Sequence, residues 1–220
     1  MSLAPLLIAS GLGRTYRRGA EEVVALADVS FRLEPGELVV LTGPSGSGKT
    51  TLLNILAGWE TPDTGQLAWG ERGTTVTAPG WDLLAIAPQR LGLLPELTIG
   101  ENVELPLRLA GGEDRAVRAQ RLETALEAFG IAHLAHRMPS EVSLGEQQRT
   151  ALARALVGVP RLLLADEPTG HQDAAWASGV MDGLRKAAAA GSAVLVATHD
   201  EEIIAQAPRR LRLRDGRLIA

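Results

Sequence analysis

The chain has 220 residues, with 22 basic and 26 acidic side chains, a formal net charge of -4, 45% hydrophobic residues and no cysteine. A chain of that length buries a sizeable core without staples, and the missing thiols exclude disulfides, thiolate metal sites and cysteine nucleophiles. The acidic balance and the 3% aromatic content speak against a nucleic-acid partner, which asks for excess Lys and Arg against phosphates and for rings on which bases stack.

In chain order, the first apolar run, Leu3 to Ala9, follows no basic segment and is predicted as an opening β-strand, not a signal peptide. Val23 to Leu33 and Glu37 to Leu41 are strand-like runs broken at Pro35-Gly36, the signature of strands joined by a turn. Thr51 to Ala57 is helix-like. From Asp114 to Phe129, Leu122, Ala125, Leu126 and Phe129 recur at helical spacing, with Gly130 placed to end the helix. A second helix is predicted to start at Ser143, where Ser143-Leu144-Gly145-Glu146 fits the capping box S-x-x-E, and to end near Gly158-Val159-Pro160. Leu162 to Ala165 and Ala193 to Ala197 are fully apolar and short, as in strands buried on both faces of a parallel sheet. Arg209 to Arg214 alternates at strand period before Asp215-Gly216, which predicts a final solvated hairpin, or in the alternative a basic patch for an acidic partner surface or lipid headgroups. The elements predict an α/β core interrupted by a mostly helical insert near 90–155. Every apolar run is broken well short of the ~20 residues that span a bilayer, which predicts a cytoplasmic protein.

Gly43-Pro44-Ser45-Gly46-Ser47-Gly48-Lys49-Thr50 matches G-x-x-x-x-G-K-[ST], after a strand and before a helix. Glycines let successive backbone N–H groups turn inward around phosphate oxygens, and the following helix N-terminus adds its positive dipole end. Lys49 is one of only two lysines. It is predicted to sit on the β- and γ-phosphates of a nucleotide, with the Thr50 hydroxyl on Mg²⁺. Further on, an apolar strand ends in Asp166-Glu167. Consecutive strand residues point opposite ways, so two acids there can serve two tasks: Asp166 to hold Mg²⁺, Glu167 to orient and polarise the attacking water. The Ser143 capping box satisfies its own helix with or without a ligand, yet the same N-terminus is an anion site, so the residues alone leave both readings open.

With these residues in place, the chain resembles the ATP-binding subunit of ABC transporters along essentially its whole length. Residues 43–50 are similar to that family's Walker A, Leu162 to Gly170 to its Walker B region, and Val142 to Arg149 to its signature sequence. The resemblance implies an ABC-type P-loop NTPase in a single domain, 1–220. Its mostly parallel core and antiparallel β subdomain would take 1–89 and 156–220, and its helical subdomain about 90–155. It implies ATP and Mg²⁺ as cofactors, with nucleotide contacts from Gly43, Pro44, Ser45, Gly46, Ser47, Gly48, Lys49, Thr50 and Thr51. Tyr16 would stack on adenine. Gln89 would sense Mg²⁺ beside Thr50 and Asp166, and catalysis would fall to Glu167, His199, Gln89 and Lys49, with His199 on the γ-phosphate. Asp173 matches the acid of the D-loop. Ser143, Gly145 and Glu146 would act in trans on ATP held by a second subunit, making a homodimer the implied assembly. The other implied partner is an integral membrane permease, docked through its coupling helix beside Leu91, Leu93, Leu94 and Leu97, which would place the protein on the inner face of the cell membrane. Gly58 to Gly65 and Leu93 to Leu107 look like the branch of lipoprotein-releasing, macrolide-efflux and cell-division ATPases, whose partners perform mechanical work.

Two positions depart from the family pattern. Leu144 stands where the signature has its first glycine, and His171-Gln172 precedes Asp173 where a leucine is common. Leucine disfavours φ > 0 and adds bulk beside the phosphate; with that backbone strained or that side chain obstructing closure, the expectation is slow but real hydrolysis, or in the alternative a nucleotide-binding regulatory or structural partner with slow or absent turnover. DNA-maintenance ATPases with the same site carry long coiled coils or zinc modules, for which this chain has neither sustained heptads nor cysteine.

Overall fold

The computed structural model describes residues 4–19, 21–70, 83–169 and 174–219. Strands β1 (Leu7–Arg18) and β2 (Glu21–Leu33) form a long antiparallel hairpin. The chain then turns at Pro35-Gly36 into β3 (Leu38–Thr42), where Gly36 adopts φ +74° and its N–H reaches the Gly191 carbonyl at 3.1 Å. This turn changes sheets and does not close a hairpin. Helix α1 (Lys49–Leu56) follows, then β4 (Thr64–Trp69), which pairs with the free edge of β1 to give a three-stranded antiparallel sheet of order β2-β1-β4.

The second sheet gathers β5 (Leu84–Ala87), β6 (Leu162–Asp166), β7 (Ala193–Ala197), β3, β8 (Arg209–Arg214) and β9 (Arg217–Ile219), in that order. Its first five strands are mutually parallel, and β9 turns back on β8 through Asp215-Gly216, both at positive φ. The apolar runs of β3, β6 and β7 are buried on both faces. Leu38, Val40, Leu163, Val194 and Val196 face one core, while Val39, Leu41, Leu164 and Leu195 face another. Each such side chain taken from water contributes about 1.5–3 kcal/mol, so a polar residue on either face would be costly.

Helix α1 fills the space between the two sheets with Leu52, Leu53, Ile55 and Leu56. On the opposite face lie α2 (Ile99–Ala110), α3 (Arg115–Ala128), α4 (Leu144–Leu156) and α5 (Ala174–Ala189), contributing Ile99, Val103, Leu126, Leu152 and Leu184 to that core. A short helix, α6 (Glu201–Ala205), follows β7. The helix expected at 114–129 is α3, capped by the Asp114 carboxylate, which accepts from Ala116 N–H at 2.7 Å. Helix α4 begins at the Ser143 capping box as expected. Helix α2 was not anticipated, yet Thr98-Ile99-Gly100-Glu101 carries the same S/T-x-x-E signal and forms the same reciprocal box. Pro106 inside α2 masked it, because proline normally ends a helix. Among the described residues no helix is long and apolar enough to cross a membrane.

Candidate active site

Strands β5, β6, β7 and β3 are neighbours and parallel, so their C-terminal ends lie side by side, where open α/β sheets place their ligands. Gln89 follows β5, Asp166 ends β6 with Glu167 after it, His199 follows β7, and the loop Gly43–Gly48 leads from β3 into α1. These four chain ends enclose a cleft of ≈ 530 Å³ lined by residues 45–51, Gln89, Asp166, Glu167 and His199. Val23 and Ala25 of β2 complete the wall. No motif pointed to those two, because only the placement of the β1–β2 sheet over α1 brings them there.

Sterics dictate the loop's glycines. A Cβ on Gly43 would lie 2.1 Å from the Leu213 carbonyl oxygen, and one on Gly48 would lie 2.3 Å from that of Ala25. Gly46, at φ +79°, faces open space. Gly43 and Pro44 form the base of the loop, where their carbonyls accept from Lys49 Nζ at 2.7 and 3.3 Å. Ser47 Oγ is buried with no hydrogen-bond partner among the described residues. An ammonium and an unpaired buried hydroxyl at one helix N-terminus suit phosphate oxygens.

Thr50 Oγ1 donates to Asp166 Oδ2 at 3.4 Å. Burial raises the Asp166 carboxyl above the usual range and the neighbouring Glu167 adds to this, against the pull of Thr50 and Lys49. Asp166, the Thr50 hydroxyl bonded to it and Gln89 in the lining of the same cleft make a hard oxygen donor set. Among the described residues no group of three or more His, Cys, Asp or Glu could hold a metal alone. The single carboxylate with its neutral oxygen neighbours fits Mg²⁺, which binds through one or two carboxylates plus phosphate and keeps waters of its own.

Glu167 has φ +48°, uncommon for a side chain with a Cβ. Its N–H bonds the Ala197 carbonyl at 2.8 Å, and its carboxylate takes the Thr198 hydroxyl at 2.9 Å and faces His199 Nδ1 at 2.7 Å. Asp200 N–H in turn donates to Thr198 Oγ1, and Thr169 Oγ1 donates to Asp200. Thr169, Thr198 and Asp200 are supports that sequence reading missed, since their part depends on which strand ends are adjacent.

Tyr16 lies at the cleft's edge, its hydroxyl 3.4 Å from Thr51 Oγ1. Ser143, Gly145 and Glu146 do not line the cleft. They sit at the start of α4, where Glu146 accepts from Ser143 N–H at 2.7 Å, an interaction that keeps its carboxyl below the usual range. Asp173, with His171 and Gln172, lies outside the described residues. Leu144 corrects an expectation: it is the first residue of α4, right-handed helical and 55% exposed, so no positive φ is asked of it. The apolar cleft beside α2, ≈ 490 Å³, is lined by Trp59, Ile86, Gly92, Leu105 and Leu109 among others, and not by Leu91, Leu93, Leu94 or Leu97.

Comparison with known proteins agrees with this geometry. Residues 26–170 match the family model described as ABC transporter. The chain is 42% identical over 229 residues to the lipoprotein-releasing system ATP-binding protein LolD of Pseudomonas syringae pv. tomato, covering 100% of this chain and 99% of that one. It is 41% identical to LolD of Gluconobacter oxydans over 223 residues, 98% of this chain and 96% of that one. Among solved structures, the dimeric post-hydrolysis state of the ATP-binding cassette MJ0796 bound to ADP and Pi superposes with a TM-score of 0.87 at 32% identity, covering 97% of each chain. The chain belongs to the ABC transporter family and is one of its ATP-binding, ATP-hydrolysing subunits.

Proposed function

We propose that this subunit closes on ATP as a homodimer and drives a separate membrane permease in a transporter of the lipoprotein-releasing kind. The observation that carries the reading is the convergence of Lys49, Thr50, Gln89, Asp166, Glu167 and His199 from four neighbouring strand ends on one cleft. The 41–42% identity to two LolD proteins over nearly their full lengths supports the branch.

In this reading the backbone of Gly43, Pro44, Ser45, Gly46, Ser47 and Gly48 wraps the phosphates, with the Thr50 and Thr51 ends of the loop beside them. Lys49 exchanges its carbonyl partners for the β- and γ-phosphates, and Tyr16 carries the adenine. Thr50, Gln89 and Asp166 would hold Mg²⁺, which would supply charge neutralisation to the phosphates. Glu167, fixed by Thr198, orients a water and takes up its proton as the oxygen attacks, while His199 contacts the γ-phosphate. Ser143, Gly145 and the α4 N-terminus meet the γ-phosphate of the second copy. The MJ0796 cassette is a dimer with ADP and Pi, and a fold matching along 97% of each chain supports the same assembly here.

The helical region of about 90–155 is proposed as a signature-bearing subdomain of the single domain 1–220. The apolar cleft beside it, with Trp59 and Leu109 each more than 60% exposed, is proposed to receive a permease helix. The subunit is then peripheral on the inner face of the membrane. The test is steady-state Mg-ATP turnover of the purified protein beside Leu144→Gly, with Glu167→Gln as blank. Because Leu144 is helical and exposed, both proteins are expected to turn over at comparable rates, well above the blank. A wild-type rate equal to the blank, beside a fast Leu144→Gly, would overturn the reading in favour of a regulatory partner.

A further inference from the structure

Tyr16 has more partners than an exposed stacking ring requires. Its hydroxyl donates a hydrogen bond to Glu60 Oε2 and lies 3.4 Å from Thr51 Oγ1. The other oxygen of Glu60 accepts from Asn54 Nδ2 at 2.8 Å. Thr51 and Asn54 both belong to α1, the helix whose first residue is Lys49. Asn54 also accepts, through its carbonyl, from the N–H groups of Trp59 and Glu60 at 2.9 and 3.2 Å, which fixes the segment that presents Glu60.

From the strand side, the Arg14 guanidinium lies 5.1 Å from the Tyr16 ring centroid and 3.6 Å from Glu60 Oε2. Arg14 Nη1 donates to Asp63 at 2.8 Å, and Thr15 N–H donates to the other oxygen of Asp63 at 2.7 Å. One face of the ring is therefore occupied by a cation held by two carboxylates, and its hydroxyl is tied to the phosphate-loop helix.

We infer that Glu60 is a positioning residue that bolts the Tyr16 ring to helix α1, fixing the spacing between the adenine platform and the phosphate loop before nucleotide arrives. The inference rests on the reading of Tyr16 as that platform. Without the tie the ring is free to rotate about its side-chain torsions, and its ordering is charged to each binding event instead of to folding. The cost falls on ligands with a base and spares those without one.

The experiment compares dissociation constants for Mg-ATP and for inorganic triphosphate with Mg²⁺, a ligand with the phosphates and no base, by calorimetry. Glu60→Ala and Tyr16→Phe each break the tie while the aromatic ring stays. Each is expected to weaken ATP about tenfold, the worth of one charge-assisted hydrogen bond, with triphosphate unchanged. The double variant should be no weaker than either single one. Tyr16→Ala separates the two claims. If it leaves the ATP-to-triphosphate ratio unchanged, Tyr16 is not the platform. If it lowers ATP affinity while Tyr16→Phe and Glu60→Ala do not, the platform stands and the positioning role of Glu60 is wrong. Equal weakening of both ligands in Glu60→Ala also overturns it, since the lesion would then be in the loop. Should Glu60→Ala not fold, Tyr16→Phe decides alone.

Discussion

Thr198 donates its hydroxyl to Glu167 at 2.9 Å, so the first residue after β7 holds the carboxylate that follows β6. Glu167 needs such a hold, because a side chain with a Cβ in the left-handed region costs about 1–2 kcal/mol and stays there only when its surroundings insist. Thr198→Ala is expected to lower kcat about tenfold with ATP affinity unchanged, and Thr198→Ser to restore it, as read by steady-state turnover and equilibrium binding. Glu167→Gln should keep ATP binding and lose roughly 10²–10⁴-fold in turnover, the usual contribution of a general base.

Lys49 rests on the carbonyls of its own loop at 2.7 and 3.3 Å. Removing it should leave the nucleotide-free fold near its normal melting temperature and erase the stabilisation by ATP. For the wild type at a hundred times its Kd, that stabilisation is about 2.7 kcal/mol, several degrees in a chain of this size. A Lys49→Ala protein that still gained those degrees with ATP would contradict the assigned role.

Asp166 is held above its ordinary range, chiefly by burial and then by Glu167. The sign follows: a carboxyl whose folded pKa exceeds its unfolded value destabilises the fold above that folded pKa, and the penalty fades as pH falls through it. Asp166→Asn is therefore expected to raise the melting temperature of the nucleotide-free protein at neutral pH. The same variant should lose the extra stabilisation that Mg²⁺ adds to ATP. Differential scanning calorimetry with and without Mg²⁺ reads both effects.

Glu101 and Glu146 cap α2 and α4 by accepting from the backbone N–H groups of Thr98 and Ser143, and Asp63 accepts from Thr15 N–H. These bonds hold all three carboxyls below their ordinary values of 4.5, 4.5 and 3.8. Their stabilisation is present in full above those values and is lost as pH falls through the lower folded ones. The melting temperature should drop between about pH 4.5 and the acid limit, and a Glu101→Gln, Glu146→Gln double variant should lose less over that window.

Val159 sits at φ +50° and is 55% exposed, in the turn between α4 and Pro160. A β-branched side chain is the poorest choice there, while asparagine and glycine enter that region readily. Val159→Asn is expected to gain about 1 kcal/mol, or 2–4 °C in melting temperature, with turnover unchanged. A lower melting temperature would mean that the valine contacts outweigh the strain.

Local chemistry made much of this molecule legible in advance. The limits of β7 were readable because a fully buried parallel strand is a continuous apolar run, the course of α3 because Leu122, Ala125, Leu126 and Phe129 recur at helical spacing, and the start of α4 because Ser143 opens a capping box. The phosphate loop was readable because it is contiguous. The opacity lies where neighbours are distant in sequence. Nothing in the local sequence around Val23, Ala25 or Thr198 says that the strands bearing or preceding them come to one cleft. The strain expected at Leu144 failed for a related reason: the residue was judged by the glycine it replaces, whereas the helix beginning at that very position supplies an ordinary conformation.

The floor of the phosphate loop belongs to the far end of the chain. Gly43 packs against the Leu213 carbonyl, Gly216 N–H bonds the Ser47 carbonyl at 3.2 Å, and Ala27 N–H bonds that of Gly216 at 2.8 Å. During synthesis the loop emerges early, yet the strand turn that underpins it is made only after the whole helical region has been translated. A ribosome-bound chain halted before Leu213 thus exposes the complete glycine-rich motif without its backing. The pocket for nucleotide is thus completed by one of the last turns of the chain to be made.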